Sequence, residues 1–230
     1  MLELGKVRIV LGDFTVTADT TLPEGGITAL MGASGSGKST ILSAIAGFLA
    51  TASGRFRVGG RDVTDLAPGA RPVSVLFQDN NLFPHLDIDR NVGLGLRPDL
   101  RLDKQQMEAR ARVLERVGLS GMGDRLPREL SGGQQSRAAL ARALLSGRPW
   151  LLLDEPFSAL GPALRRDMLA LLRETTAAEG LSVLMVTHDP EDAMAVAERT
   201  CLVADGALTA PAPTAELFAD PPSALRAYLG

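Results

Sequence analysis

The chain has 230 residues, 45% of them hydrophobic and 22% charged, which is the composition of a globular protein long enough to bury its own core. A formal net charge of −3 argues against nucleic acid as the default partner, and a single cysteine, Cys201, excludes an internal disulfide and a thiolate metal cluster. The sequence opens without a secretion signal, and no apolar run approaches the roughly 20 residues that span a bilayer, so a soluble protein is expected whose role at any membrane comes through a partner.

Along residues 7–31, β-rich runs alternate with turn signals at Gly12-Asp13 and at 23–26, which predicts short strands leading into a buried strand over 27–31. The segment Gly32-Ala33-Ser34-Gly35-Ser36-Gly37-Lys38-Ser39-Thr40 follows at once and fits G-x-x-x-x-G-K-[ST]. Its glycines let backbone N–H groups turn inward around phosphate oxygens, and a helix predicted over 39–46 adds the partial positive charge of its N-terminus. Lys38 is placed to reach β- and γ-phosphates, and Ser39 to hold Mg²⁺. A dinucleotide fingerprint fits less well, because Lys38-Ser39-Thr40 stands where a third glycine is needed. A nucleoside triphosphate, ATP, is the expected ligand.

Residues 54–58 and 73–76 read as further strands, after which the composition changes. The stretch 102–117 is rich in Arg, Gln, Glu, Leu and Met without strand alternation, and 134–145 is also helical. This sets a mainly helical subdomain over 79–134 inside an α/β core made of 1–78 and 135–230. The apolar run from Trp150 to Leu153 ends in Asp154-Glu155, as expected of a buried parallel strand that delivers charge beside the phosphate loop. Because successive strand residues point to opposite faces, the two acids are assigned different work: Asp154 orients the Mg²⁺ shell, and Glu155 polarises the attacking water. Helices over 162–178 and 190–197 separate strands over 181–186 and 200–204, where Cys201 reads as a small apolar residue. Asp205-Gly206 is a hairpin signal, and Pro-rich residues 211–213 lead into short terminal helices.

Leu130-Ser131-Gly132-Gly133-Gln134, ahead of the helical run 136–145, resembles the signature motif of the ABC ATPases. Read from its residues alone, it is a second phosphate-binding helix N-terminus, with the Ser131 hydroxyl and the Gly132 and Gly133 amides toward an anion. The resemblance implies an α/β P-loop NTPase (RecA-like) core with an N-terminal antiparallel β subdomain and an inserted helical subdomain, one ABC ATPase domain over 1–230. It also implies a homodimer formed on ATP binding, in which Ser131, Gly132, Gly133 and Gln134 serve the nucleotide of the other chain. Gln78 and His188 match the family residues that contact Mg²⁺ with water and the γ-phosphate, which makes Glu155, His188 and Gln78 the catalytic set and Ser39, Gln78 and Asp154 the metal set. Two positions depart from the pattern. Leu11 stands where the family places an adenine-stacking aromatic, with Phe14 nearby, and Gly161 stands where an aspartate usually communicates across the dimer.

The stretch Arg71-Pro72-Val73-Ser74-Val75-Leu76-Phe77-Gln78-Asp79-Asn80-Asn81-Leu82-Phe83-Pro84-His85-Leu86, followed by Asn91-Val92-Gly93-Leu94-Gly95-Leu96, is similar to the ATPases of bacterial thiamine importers. So are the short N-terminal strands and an end at Gly230 that leaves no room for a regulatory domain. The expected function is therefore to energise uptake of thiamine or its phosphate esters from the cytoplasmic face of the bacterial inner membrane. The implied partners are an integral membrane permease and, indirectly, a periplasmic solute-binding protein, with no nucleic acid. Leu82, Phe83, Leu86 and Ile88 are candidates for a groove that receives a permease helix, ordinary packing being the competing reading of each. Iron, polyamine or sulfate import stays open, as does a soluble ABC ATPase acting on DNA or ribosomes, although the long insertions or second cassette of such proteins are not seen. A regulator that binds ATP without hydrolysing it would be expected to lack Glu155 or His188, and both are present.

Overall fold

Residues 1–229 are described by the structure, a computed structural model. The first two strands, β1 (Leu2–Leu11) and β2 (Phe14–Leu22), form an antiparallel hairpin that buries Leu2, Leu4, Val7, Ile9 and Val16. They are longer than the short runs predicted. The alternation in β1 breaks between Leu4 and Val7, where the register shifts and Lys6 takes φ 47°, so a bulge conceals the strand's period from the sequence. The inner strand β3 (Gly26–Met31) leads through the glycine-rich loop into α1 (Lys38–Ala46). β4 (Ser53–Val58) then pairs with β1 across the same bulge, and at Gly54 a Cβ would lie 2.4 Å from the Lys6 carbonyl oxygen. Only glycine allows that approach. β5 (Arg61–Asp62) closes this edge.

β6 (Val73–Leu76) forms the opposite edge of the sheet, and the chain then leaves it through α2 (Ile88–Gly93) and α3 (Lys104–Arg116) to α4 (Gly132–Leu145). Ile88, Val92, Val113, Leu114, Val117 and Leu119 pack on Ala138 and Ala141 as a cluster of their own. The neighbouring residues of α4, Ala139 and Leu140, face the main core, so a single helix joins the two bodies. Ile88 is fully buried in this cluster, so of its two readings ordinary packing holds and the groove anchor does not.

The remaining elements are β7 (Trp150–Asp154), α5 (Pro162–Glu179), β8 (Ser182–Val186), α6 (Pro190–Val196), β9 (Arg199–Ala204), β10 (Ala207–Leu208), β11 (Ala212–Pro213), α7 (Thr214–Ala219) and α8 (Ser223–Leu229). β9, β3, β8, β7 and β6 lie side by side in parallel, and β10 links β9 to β2, so one continuous sheet runs through both halves. β8 is buried at every residue, because helices cover both faces of a parallel sheet. Cys201 is fully buried in β9, and burial pushes its thiol up to about 12, which suits the small apolar residue expected there.

One buried cation organises the far end of α1. Arg71 donates from Nη1 to the Ala44 and Ile45 carbonyls at 2.7 and 2.8 Å and from Nε to Leu66 at 2.9 Å, which satisfies the helix terminus. Desolvation lowers its pKa from the ordinary guanidinium value.

Candidate functional site

The parallel strands β3, β7 and β8 end at one edge of the sheet, and the phosphate loop, the acidic pair and His188 follow those ends directly. Sterics dictate the loop's glycines. A Cβ on Gly32 (φ 148°) would lie 2.4 Å from the Val203 carbonyl oxygen, and one on Gly37 (φ 107°) would lie 2.9 Å from the Phe14 ring. Phe14, half-buried, therefore packs on the loop, whereas Leu11 is 44% exposed.

Inside the loop the Lys38 ammonium donates to the Gly32 and Ala33 carbonyls at 2.8 Å each. Desolvation lowers the Lys38 pKa, while Glu155 and Asp154 oppose the shift. Ser39 donates its hydroxyl proton to Asp154 Oδ1 at 2.9 Å. The Asp154 carboxyl is raised, first by burial and then by Glu155, against the Ser39 hydrogen bond and Lys38, which lower it. A desolvated Asp154 carboxyl with Glu155 close by makes the site one that favours added positive charge.

Glu155 corrects a step of the sequence argument. Strand alternation does not separate the acids, because β7 ends at Asp154 and Glu155 adopts φ 46°, outside the strand. Its N–H donates to the Val186 carbonyl at 3.1 Å, and this left-handed turn aims the carboxylate away from Asp154's partner and at His188. His188 Nδ1 lies 3.0 Å from Glu155 Oε2. A cavity of about 620 Å³ gathers Ser34, Lys38, Ser39, Glu155 and His188, with Phe14 on its wall. Gln78 is not among the residues lining it. It is exposed beyond β6, with no hydrogen bond to Ser39 or Asp154 among the described residues.

The signature residues lie elsewhere, at the N-terminus of α4. Ser131 accepts from the Gln134 N–H at 3.3 Å, and the Gln134 side chain accepts from the Ser131 N–H at 2.9 Å, a reciprocal capping box. Ser131 and Gly132 are exposed, but Gly133 is buried because a Cβ there would lie 2.3 Å from Leu164 on α5. Gly161, the N-cap of α5, contributes no side-chain cap.

Three residues at the site were not singled out from the sequence. Arg142 on α4 donates to the Asn81 and Asn80 carbonyls at 2.8 and 3.0 Å, tying the segment after Gln78 to the signature helix. Arg165 on α5 pairs with Asp192 at 2.5 Å and with Asp189 at 3.1 Å, next to His188. Tyr228 donates its hydroxyl proton to the His188 carbonyl. For Tyr228 one signal existed, since it is the only tyrosine in the chain; the two arginines have none beyond their helical setting.

The model of the family described as ABC transporter matches residues 16–158, more than half of the chain. The chain belongs to the ABC transporter family. Among curated relatives, the thiamine import ATP-binding protein ThiQ of Cereibacter sphaeroides is 62% identical over 230 residues, covering 100% of both chains. ThiQ of Ruegeria sp. is 49% identical with 100% of both chains covered, and ThiQ of Brucella suis is 46% identical over 100% of this chain and 95% of its own. A solved structure, described as a dimeric post-hydrolysis state of the ATP-binding cassette MJ0796 bound to ADP and Pi, is similar at a TM-score of 0.78. It is 29% identical and covers 93% of this chain and 99% of that one. The P-loop ABC ATPase fold expected from the sequence is thus the fold found, and the ligand of this ABC ATPase is ATP.

Proposed function

We propose that this ABC ATPase energises import of thiamine or its phosphate esters through a separate membrane permease. Likeness to three ThiQ proteins over the whole chain supports the vitamin, and the observation that carries the ATPase chemistry is the cavity that joins Lys38, Ser39, Glu155 and His188. Lys38 exchanges the Gly32 and Ala33 carbonyls for β- and γ-phosphate oxygens when nucleotide enters, with no net loss of hydrogen bonds. Glu155 orients the attacking water and accepts its proton, and His188, 3.0 Å away, fixes that carboxylate and meets the γ-phosphate.

The donor set fits Mg²⁺. The Ser39 hydroxyl and the Asp154 carboxylate are hard oxygen donors 2.9 Å apart beside the phosphate loop, with Gln78 able to add a third from the segment after β6. When bound there, the ion would supply positive charge to offset that of the phosphates. Two chains enclose ATP head to tail, each supplying Ser131, Gly132, Gly133 and Gln134 to the other's nucleotide. Residues 79–134 act as the helical subdomain that moves relative to a core of 1–78 and 135–230.

No helix among the described residues is long and apolar enough to cross a membrane. The chain works peripherally at the cytoplasmic face of the inner membrane, under a permease fed by a periplasmic solute-binding protein. Phe83, 45% exposed and flanked by half-buried Leu82 and Leu86, offers the permease an apolar contact. The buried Asn91 side chain shapes this loop, accepting from the Phe83 N–H at 2.8 Å and donating to the Phe83 and Leu86 carbonyls at 3.0 and 2.8 Å.

The test is uptake of labelled thiamine, iron and a polyamine in a strain lacking the gene. Selective loss of thiamine uptake, restored by the wild-type chain and not by Glu155→Gln, is expected. Glu155→Gln should retain ATP binding while turnover falls at least about a hundredfold. Loss of a different solute would replace the substrate and keep the ATPase, and normal turnover in Glu155→Gln would remove that residue from the chemistry.

A further inference from the structure

The short loop that carries His188 is anchored at both flanks. The Thr187 N–H donates to the Leu30 carbonyl at 3.3 Å, its hydroxyl reaches Asp192 Oδ2 at 3.2 Å, and the Asp189 N–H donates to Thr187 Oγ1 at 3.0 Å. Between them, the His188 carbonyl takes its only hydrogen bond among the described residues from Tyr228, forty positions away in sequence. The His188 side chain is 53% exposed, so packing does not set its direction. Its backbone orientation and its contact with Glu155 do.

Tyr228 arrives there for a local reason. Leu225 of α8 is 1% exposed and joins Met31 and Leu202 in the core, which pins one face of the helix. Tyr228 follows it by three positions and shares that face. The ring lines the cavity that holds Lys38, Glu155 and His188, and also a second cavity of about 570 Å³ against Ser34 and Ser36 on the other flank of the loop. Burial, Asp189 and Glu155 all hold the phenol pKa above its ordinary value, so the hydroxyl keeps its proton and remains a donor.

We propose that Tyr228 is a positioning residue of the hydrolytic site, whose hydroxyl holds the His188 backbone so that the imidazole meets Glu155. The terminal helix thereby becomes part of the ATPase centre. This rests on the ATPase reading above, and its test separates the two. Tyr228→Phe keeps the ring and its packing and removes only the donor. The turnover number should fall about three- to tenfold, the equivalent of one neutral hydrogen bond, while KM for ATP stays within about twofold. The chain has two histidines, so selective imidazole ¹⁵N labelling yields two ring systems, assigned by His188→Gln. At fixed pH the His188 ring shifts should move in Tyr228→Phe, while those of His85 stay in place. Unchanged turnover with unchanged His188 shifts overturns the proposal, and so does a loss of turnover in which the His188 shifts do not move. A wild-type chain without ATPase activity would refute the hydrolytic reading, and the shift comparison would still decide whether Tyr228 orients His188.

Discussion

The phosphate cavity and the signature end of α4 use the same device, a glycine-bearing helix N-terminus, with different side chains around it. In the cavity the side chains of Lys38, Ser39 and Glu155 have partners from their own chain, on two carbonyls, Asp154 and His188, while the N–H groups of Gly35, Gly37, Lys38, Ser39 and Thr40 have none among the described residues. At the signature, Ser131 satisfies the Gln134 N–H, and the Gly132 and Gly133 N–H groups have no partner among the described residues. The first region pairs its charged side chains within one chain and leaves its loop donors for a ligand. The second offers only backbone donors and a capping hydroxyl, with no charged side chain of its own.

Mixing chains gives the largest effect with which to break this comparison. Ser131→Arg and Lys38→Ala should each abolish ATP-dependent dimerisation alone, and an equimolar mixture should regain it, since each heterodimer holds one composite site without either change. Sedimentation with ATP in the Glu155→Gln background reads the outcome. No recovery in the mixture would place both regions in service of the same chain's nucleotide.

Next in size is a stability difference between adjacent glycines. Gly133→Ala forces a methyl group to within 2.3 Å of Leu164 and should cost about 1–3 kcal/mol in chemical denaturation. Gly132→Ala meets nothing nearer than Leu160 at 3.9 Å and should stay within about 0.5 kcal/mol of wild type. Equal costs would mean that helix packing does not decide the second glycine.

The smallest effect concerns the charge held in the cavity. Asp154 has a raised carboxyl, so the folded state binds its proton more tightly than the unfolded state does. Nucleotide-free stability is therefore lost as pH rises from the ordinary carboxylate value through the folded one. Asp154→Asn should melt above wild type at neutral pH, with an advantage that shrinks as pH falls into the ordinary carboxylate range. A lower melting temperature at neutral pH would show that the ionised carboxylate stabilises the empty site.

The features legible in the sequence are those written over a few consecutive residues. The phosphate loop is punctuated by glycines that backbone sterics demand, β7 and β8 are continuous apolar runs, and the signature carries its own capping box, so each was placed to within a residue or two. The bulge at Lys6 is hidden because a single left-handed residue shifts the alternation by one, and Ile88 stays open between groove and packing because an apolar residue beside a groove reads the same as one beneath it. Glu155 belongs with these: its neighbour's strand pattern gives no warning of φ 46°.

By itself, then, the sequence marked the groups proposed to meet the phosphates, because that chemistry depends on residue type, spacing and the N-terminus of a helix, all local properties. Tertiary structure alone decided that Glu155 faces His188, that Arg142 ties the Gln78 segment to the signature helix, and that Tyr228 closes over the His188 loop. Those contacts join residues 33, 61 and 40 positions apart. No periodicity encodes such pairs; they exist because strand ends and helices from distant parts of the chain converge at one edge of a sheet.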